Sequence, residues 1–151
     1  MKSTPKGWPR ISSALFYDDA GTAIDWLVRT FGFEVRLRIE GEAGRIEHSE
    51  LTYGDGLMML GSTKFGETGE WRDKCASPRT LGGVNTQTLC LFVDDVDAHC
   101  KHARAAGAEI VVEPTTKDYG DEYWSDRSYL ARDPEGHLWW FMQRLREPTA
   151  R

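Results

Sequence analysis

Cysteine, basic charge and long apolar runs are all scarce in this chain, and each shortage removes a class of function. The three cysteines, Cys75, Cys90 and Cys100, are odd in number, and none stands in a C-x-x-C pair. That argues for reduced thiols and against a disulfide frame or a zinc knuckle. Cys90 lies inside an apolar run and reads as a small buried hydrophobe. Acidic residues outnumber basic ones, 24 to 19, giving a net charge of −5, so no basic nucleic-acid face is predicted. No apolar stretch approaches the roughly 18 residues of a membrane span. Met1-Lys2-Ser3-Thr4-Pro5 lacks the apolar segment of a signal peptide, and the expected location is cytoplasmic. Gly54-Asp55-Gly56 and Gly82-Gly83 lack the G-x-G-x-x-G context of a nucleotide loop. No G-x-S-x-G nucleophile elbow occurs, so covalent catalysis has no support.

What the chain does have is repetition. Phe16-Tyr17-Asp18-Asp19 returns about 76 residues later as Phe92-Val93-Asp94-Asp95. Each copy follows a short apolar run and precedes a helical stretch that stops at a glycine, Gly32 or Gly107. Tyr53-Gly54-Asp55-Gly56-Leu57-Met58-Met59-Leu60 is echoed by Arg132-Asp133-Pro134-Glu135-Gly136-His137-Leu138-Trp139-Trp140. One supersecondary unit is used twice. At 151 residues the expectation is a single domain, with repeat one at about 10–61, a linker at 62–86 and repeat two at about 87–145.

Within repeat one, Ile11 to Tyr17 reads as a strand, and Asp18 or Asp19 as a helix cap. Ala20, Ile24, Leu27, Val28 and Phe31 form a stripe at the helical period. Strands follow at Val35 to Glu40, Arg45 to Tyr53 and Leu57 to Gly61. Repeat two predicts strands at Thr88 to Val93, Glu109 to Glu113, Tyr123 to Arg132 and Leu138 to Gln143. Its helix is capped by Asp94 or Asp95 and carries Val96, Cys100, Ala103 and Ala106 on one face; Pro114 opens a polar loop through Gly120. Each half is thus β-α-β-β-β. The predicted class is α+β: two βαβββ repeats forming a curled mixed sheet around a cup-shaped cavity, with the helices outside. Residues 62–86 read either as a plain linker or as a lid carrying Trp71.

The doubled βαβββ pattern, the two strand-then-Asp helix starts and the D-P-x-G turn at Asp133-Pro134-Glu135-Gly136 resemble the vicinal oxygen chelate superfamily of glyoxalases, bleomycin-resistance proteins and extradiol dioxygenases. Tyr119-Gly120-Asp121-Glu122-Tyr123 and Arg127-x-Tyr129 resemble its PhnB-like and bleomycin-resistance-like branches. The resemblance implies a homodimer. It also implies, in the enzymes, one divalent metal held by four side chains, and in this chain the corresponding positions are Ser12, Thr88, Trp140 and a fourth strand, Leu57 to Gly61, with no donor. A hydroxyl pair, an indole and a thioether are not a catalytic ligand set, so no metal and no cofactor are expected.

The aromatic residues point to binding instead. Strand alternation puts Leu138, Trp140 and Met142 on one face and Trp139 and Phe141 on the other. The face of Trp140 is expected to line the cup, together with Ser12, Ala14, Phe16, Thr88, Cys90 and Phe92. The candidate ligand-binding residues are Ser12, Phe16, Met59, Thr88, Phe92, Trp124, Trp140 and Met142; plain core packing calls for the same residues. Trp124 and Tyr123, beside Asp121, Glu122 and Asp126, add an aromatic and acidic rim suited to a planar cation. His99 and His102 read as solvated helix surface, His48 and Glu50 as rim polarity on the third strand, and His137 as a turn or edge hydrogen bond. Catalytic residues are not assigned. The resulting expectation is a metal-free small-molecule-binding protein resembling the bleomycin-resistance proteins, and so of antibiotic-resistance type, that sequesters or senses an apolar or cationic compound, without nucleic-acid or membrane partners. Whether it is an enzyme is left open, leaning against. The alternatives are a glyoxalase-like lyase with a non-standard metal site and an interaction module with no small ligand.

Overall fold

A computed structural model of the chain describes residues 1–63 and 72–149. The chain divides into two compact units, 1–81 and 82–151. The boundary falls inside the predicted linker, whose later part carries short 3-10 turns at Arg72–Lys74 and Pro78–Leu81 and a fully buried Ser77. Trp71, the proposed lid residue, lies outside the described residues.

The first unit runs β1 (Ser13–Tyr17), α1 (Ala20–Phe31), β2 (Glu34–Glu40), β3 (Ile46–Tyr53) and β4 (Gly56–Ser62). Its sheet order is β1-β4-β3-β2, with β1 parallel to β4 and the other pairs antiparallel. Helix α1 starts where a side-chain acceptor is available: the Asp19 carboxylate accepts from the Thr22 amide at 3.0 Å. That bond holds the Asp19 carboxyl below the usual carboxylate range. The helix ends at Gly32, whose φ of 83° is a left-handed cap. Gly54, at φ 57°, makes the two-residue turn between β3 and β4.

The predicted stripe on α1 needs one correction. Ala20, Ala23, Ile24, Trp26, Leu27, Thr30 and Phe31 are buried, whereas Val28 is exposed. At 3.6 residues per turn the buried positions centre between Ala23 and Leu27, and Val28 lies roughly a third of a turn away. Opposite the helix, Leu15, Tyr17, Leu51, Met58 and Leu60 form the buried face of the sheet.

The second unit repeats the plan: β5 (Leu89–Phe92), α2 (Val96–Ala105), β6 (Glu109–Asp118), β7 (Ser125–Arg132) and β8 (Leu138–Arg146), in sheet order β5-β8-β7-β6. Asp95 caps α2 by accepting from the Ala98 amide. Val96, Cys100 and Ala103 are buried as predicted, while Ala106 is the half-buried residue that closes the helix. Strand β6 continues through Pro114 to Asp118, where a loop was predicted. Proline lacks an amide to donate, and the pairing with β7 shifts register between Val112 and Thr115, so the edge strand absorbs it as an irregularity. The alternation on β8 holds: Trp139 and Phe141 are fully buried, and Trp140 and Met142 are half-buried.

The D-P-x-G turn has a physical explanation. The buried Asp133 carboxylate accepts from the amides of Glu135 and His137, both at 3.0 Å, and from the Trp139 indole at 3.1 Å. One side chain therefore closes the turn and ties it to the largest residue of the core.

Candidate functional site

Each sheet has one face under its helix and one without a helix. In the second unit the register defines what the uncovered face carries: Cys90 stands opposite Trp140, and Phe92 opposite Met142, on neighbouring parallel strands. Phe92 is 55% exposed and Trp124, just before β7, is 36% exposed. Thr88 is exposed immediately before β5. Arg144 stands beside them, paired in register with Asp126. Its Nε donates to Asp126 Oδ1 at 2.6 Å and its Nη1 to Glu147 Oε2 at 2.9 Å. The guanidinium carbon sits 5.5 Å from the Phe92 ring centre and 5.4 Å from that of Trp124. The Asp126 hydrogen bond keeps Arg144 protonated even more firmly than usual. Tyr119 and Tyr123 pack against Trp124 from outside.

In the first unit Phe16 and Met59 are half-buried on the uncovered face, with Met59 between Ala14 and Glu50 in register. Ser12, just before β1, has a buried hydroxyl with no hydrogen-bond partner among the described residues. Glu50 is only 7% exposed. Its carboxylate lies 3.3 Å from Arg36 Nε and 3.2 Å from His48 Nε2. Arg36 also donates to the Gly7 carbonyl and stacks over Trp8. An open cleft of about 710 Å³ between residues 4–9 and the β3–β4 turn is walled by Trp8, Arg36, Thr52 and Asp55, and none of the eight predicted binding residues lines it.

Two features lay outside the sequence reading. Arg36 reaches Glu50 because the β2–β3 register shifts between Val35 and Leu37, which breaks simple alternation. The Arg144–Asp126 pair joins strands 18 positions apart, and no local period announces it. Three further expectations are corrected. Cys90 is exposed, because the face of β5 that carries it has no helix over it. His99 is half-buried: its Nδ1 lies 2.7 Å from the buried Tyr129 hydroxyl, and its ring lies 4.3 Å from that of Phe141. Of the predicted acidic rim, Asp126 is engaged as well, since Arg144 pairs with it. His102 is exposed, as predicted. His137 is buried, its amide held by Asp133.

The donor chemistry does not fit the divalent metal that the resemblance implies. Ser12, Thr88, Trp140 and Met59 supply neither an imidazole nor a carboxylate at the four positions concerned. Among the described residues, no three His, Cys, Asp or Glu side chains gather where they could hold a metal ion. No described helix is long and apolar enough to cross a membrane.

Comparison with known proteins agrees with this architecture. Residues 10–141 match the family model of the glyoxalase/bleomycin resistance protein/dioxygenase superfamily. An uncharacterized protein of Mycobacterium bovis is 34% identical over 139 residues, covering 92% of this chain and 86% of the relative. The crystal structure of TioX from Micromonospora sp. ML1 is 38% identical, covers 91% of this chain and 100% of that one, and superposes with a TM-score of 0.68. A glyoxalase/bleomycin resistance protein from Streptomyces sp. CB03234, at 21% identity, covers 86% of this chain and 96% of that one with a TM-score of 0.61, a likeness of fold. With the doubled βαβββ units, the Asp133 turn and the family match over most of its length, this chain belongs to the glyoxalase/bleomycin resistance protein/dioxygenase superfamily.

Proposed function

We propose that this protein binds and sequesters, or senses, a planar and largely apolar small molecule without a metal, in the manner of a bleomycin-resistance protein. One observation carries the reading. Phe92, Trp140 and Met142 lie on the face of the second sheet that no helix covers, Trp124 meets Phe92 across Arg144 at one end of it, and Phe92 and Trp124 stay substantially exposed. Burying a side chain of that size is worth about 1.5–3 kcal/mol, so a chain that leaves such residues open favours a binding face over a filled core. Of the two ligand chemistries the sequence suggests, apolar is favoured over cationic, because Arg144 already occupies the aromatic–acidic corner. The test is a ligand screen read by tryptophan fluorescence and thermal shift, with bleomycin-type glycopeptides and planar aromatics included. A saturable change, weakened more than about tenfold by Trp140→Ala in a folded variant, supports the reading. A broad screen without any saturable change sinks it. Homodimerisation belongs to the same proposal, since the edge strand β2 leaves Val35, Leu37 and Ile39 exposed. Sedimentation equilibrium reporting about one chain mass would reject it.

A second reading, a lyase of the glyoxalase class, is favoured by the His48–Glu50–Arg36 cluster, whose carboxylate-bound imidazole is an acid–base arrangement. Stoichiometric divalent metal in purified protein, with turnover of a hemithioacetal abolished by Glu50→Gln, would move the balance to it.

A further inference from the structure

We propose that Arg144 decides the charge class of the ligand: its guanidinium fills the cation position of a cage made by Phe92, Trp124 and Asp126, so the native face takes neutral planar molecules. The inference rests on the binding reading above and deepens it. The guanidinium stands about equally far from two aromatic rings, 5.5 and 5.4 Å, with a carboxylate 2.6 Å from its Nε. Two ring faces and a carboxylate around one positive charge are the arrangement by which proteins hold delocalised organic cations. Here the cation comes from the same chain, so it is present at a concentration no free ligand matches.

The Asp126 side chain is only 12% exposed, so without Arg144 it becomes a largely buried carboxylate lacking its ion-pair partner. Glu147, 72% exposed, holds the other end of the guanidinium from the solvent side. Lys117 is opposite Asp126 in register, but its ammonium lies 5.0 Å over the Tyr119 ring. Arg146 is committed to Asp118. A neutral planar ligand meets a different surface: it stacks on Trp124, on Phe92 or on the flat guanidinium itself, and displaces nothing. Removing the Arg144 charge converts a neutral-ligand face into a cation site.

Two probes of one shape make the test. Acridine is uncharged at mildly alkaline pH, and 10-methylacridinium carries a permanent delocalised charge on the same ring system. Calorimetric titration of the full chain is expected to show acridine bound more tightly than 10-methylacridinium. Arg144→Gln is expected to raise the affinity ratio of 10-methylacridinium to acridine by about tenfold, the size of one partly exposed cation–π contact. Adding Asp126→Asn to that variant removes the rise. Arg144→Met, which keeps length without charge, replaces Arg144→Gln should circular dichroism show the latter unfolded. If acridine binds and the ratio is unchanged in the folded Arg144 variant, or already favours the cation in the native chain, Arg144 does not set the charge class while the binding reading stands. If neither probe binds any of the proteins, the face takes no planar ring of either charge and this inference is overturned, while the binding reading stands or falls with the broad screen.

Discussion

Replacing Asp133 with alanine tests whether the turn before β8 is the clasp of the second unit. The substitution removes the acceptor of three donors at once: the amides of Glu135 and His137 and the indole of Trp139. Asp133 is 4% exposed and Trp139 is fully buried. A buried donor left without a partner costs about 1–3 kcal/mol. The two amides sit in a turn that can open to water, whereas the indole is locked in the core, so the total is about 3–5 kcal/mol. For a chain of this size that is a fall in Tm of roughly 10 °C. Asp133→Asn discriminates further. Its amide oxygen still serves the two backbone donors, but its NH2 group faces the indole N–H, and the cost drops to about 1–3 kcal/mol. Urea unfolding followed by far-UV circular dichroism measures both. A cost for Asp133→Ala below about 1 kcal/mol, or equal losses for the two variants, would refute the reasoning.

Two further outcomes follow from the caps and the thiols. Asp19→Ala is expected to cost about 1 kcal/mol at neutral pH. Because the Thr22 amide lowers the folded-state value of Asp19, that stability is fully present above about pH 4 and is lost as pH falls through the folded value. The wild type and the variant should therefore converge at the acid end of a pH series, and a constant gap would contradict the cap. Cys90 is exposed, whereas Cys100 is buried and its thiol is pushed up, chiefly by burial. Cys90→Ser should remove the fastest phase of reaction with an aromatic disulfide reagent, leaving the half-buried Cys75 to react more slowly and Cys100 only on unfolding. A fast phase that survives the substitution would overturn the assignment.

The elements were legible because their signals are local. The Asp caps, the glycine stops and the 3.6 and 2.0 periods all lie within a dozen residues, and the D-P-x-G turn is a self-contained network around Asp133. What escaped depends on partners remote in sequence. The apolar run around Cys90 reads as buried on both faces, yet the structure covers one face only. Pro114 reads as a strand end, but an edge strand tolerates it at an irregularity. Arg36 and Arg144 are ordinary surface arginines by pattern, and they acquire meaning through a register shift beside Glu50 and through pairing with Asp126. His99 looked solvated because helical spacing does not reveal that Tyr129 stands across from it.

The most direct measurement of the central claim is a nuclear magnetic resonance titration of the indole N–H signals with a ligand from the screen. The account predicts that the signals of Trp124 and Trp140, on the uncovered side of the second sheet, shift and saturate together. It predicts that Trp139, buried and held by Asp133, and Trp26, buried in α1, move little. Shifts confined to Trp139 or Trp26, or no saturable shift of Trp124 and Trp140, would contradict the claim that this aromatic face binds the ligand.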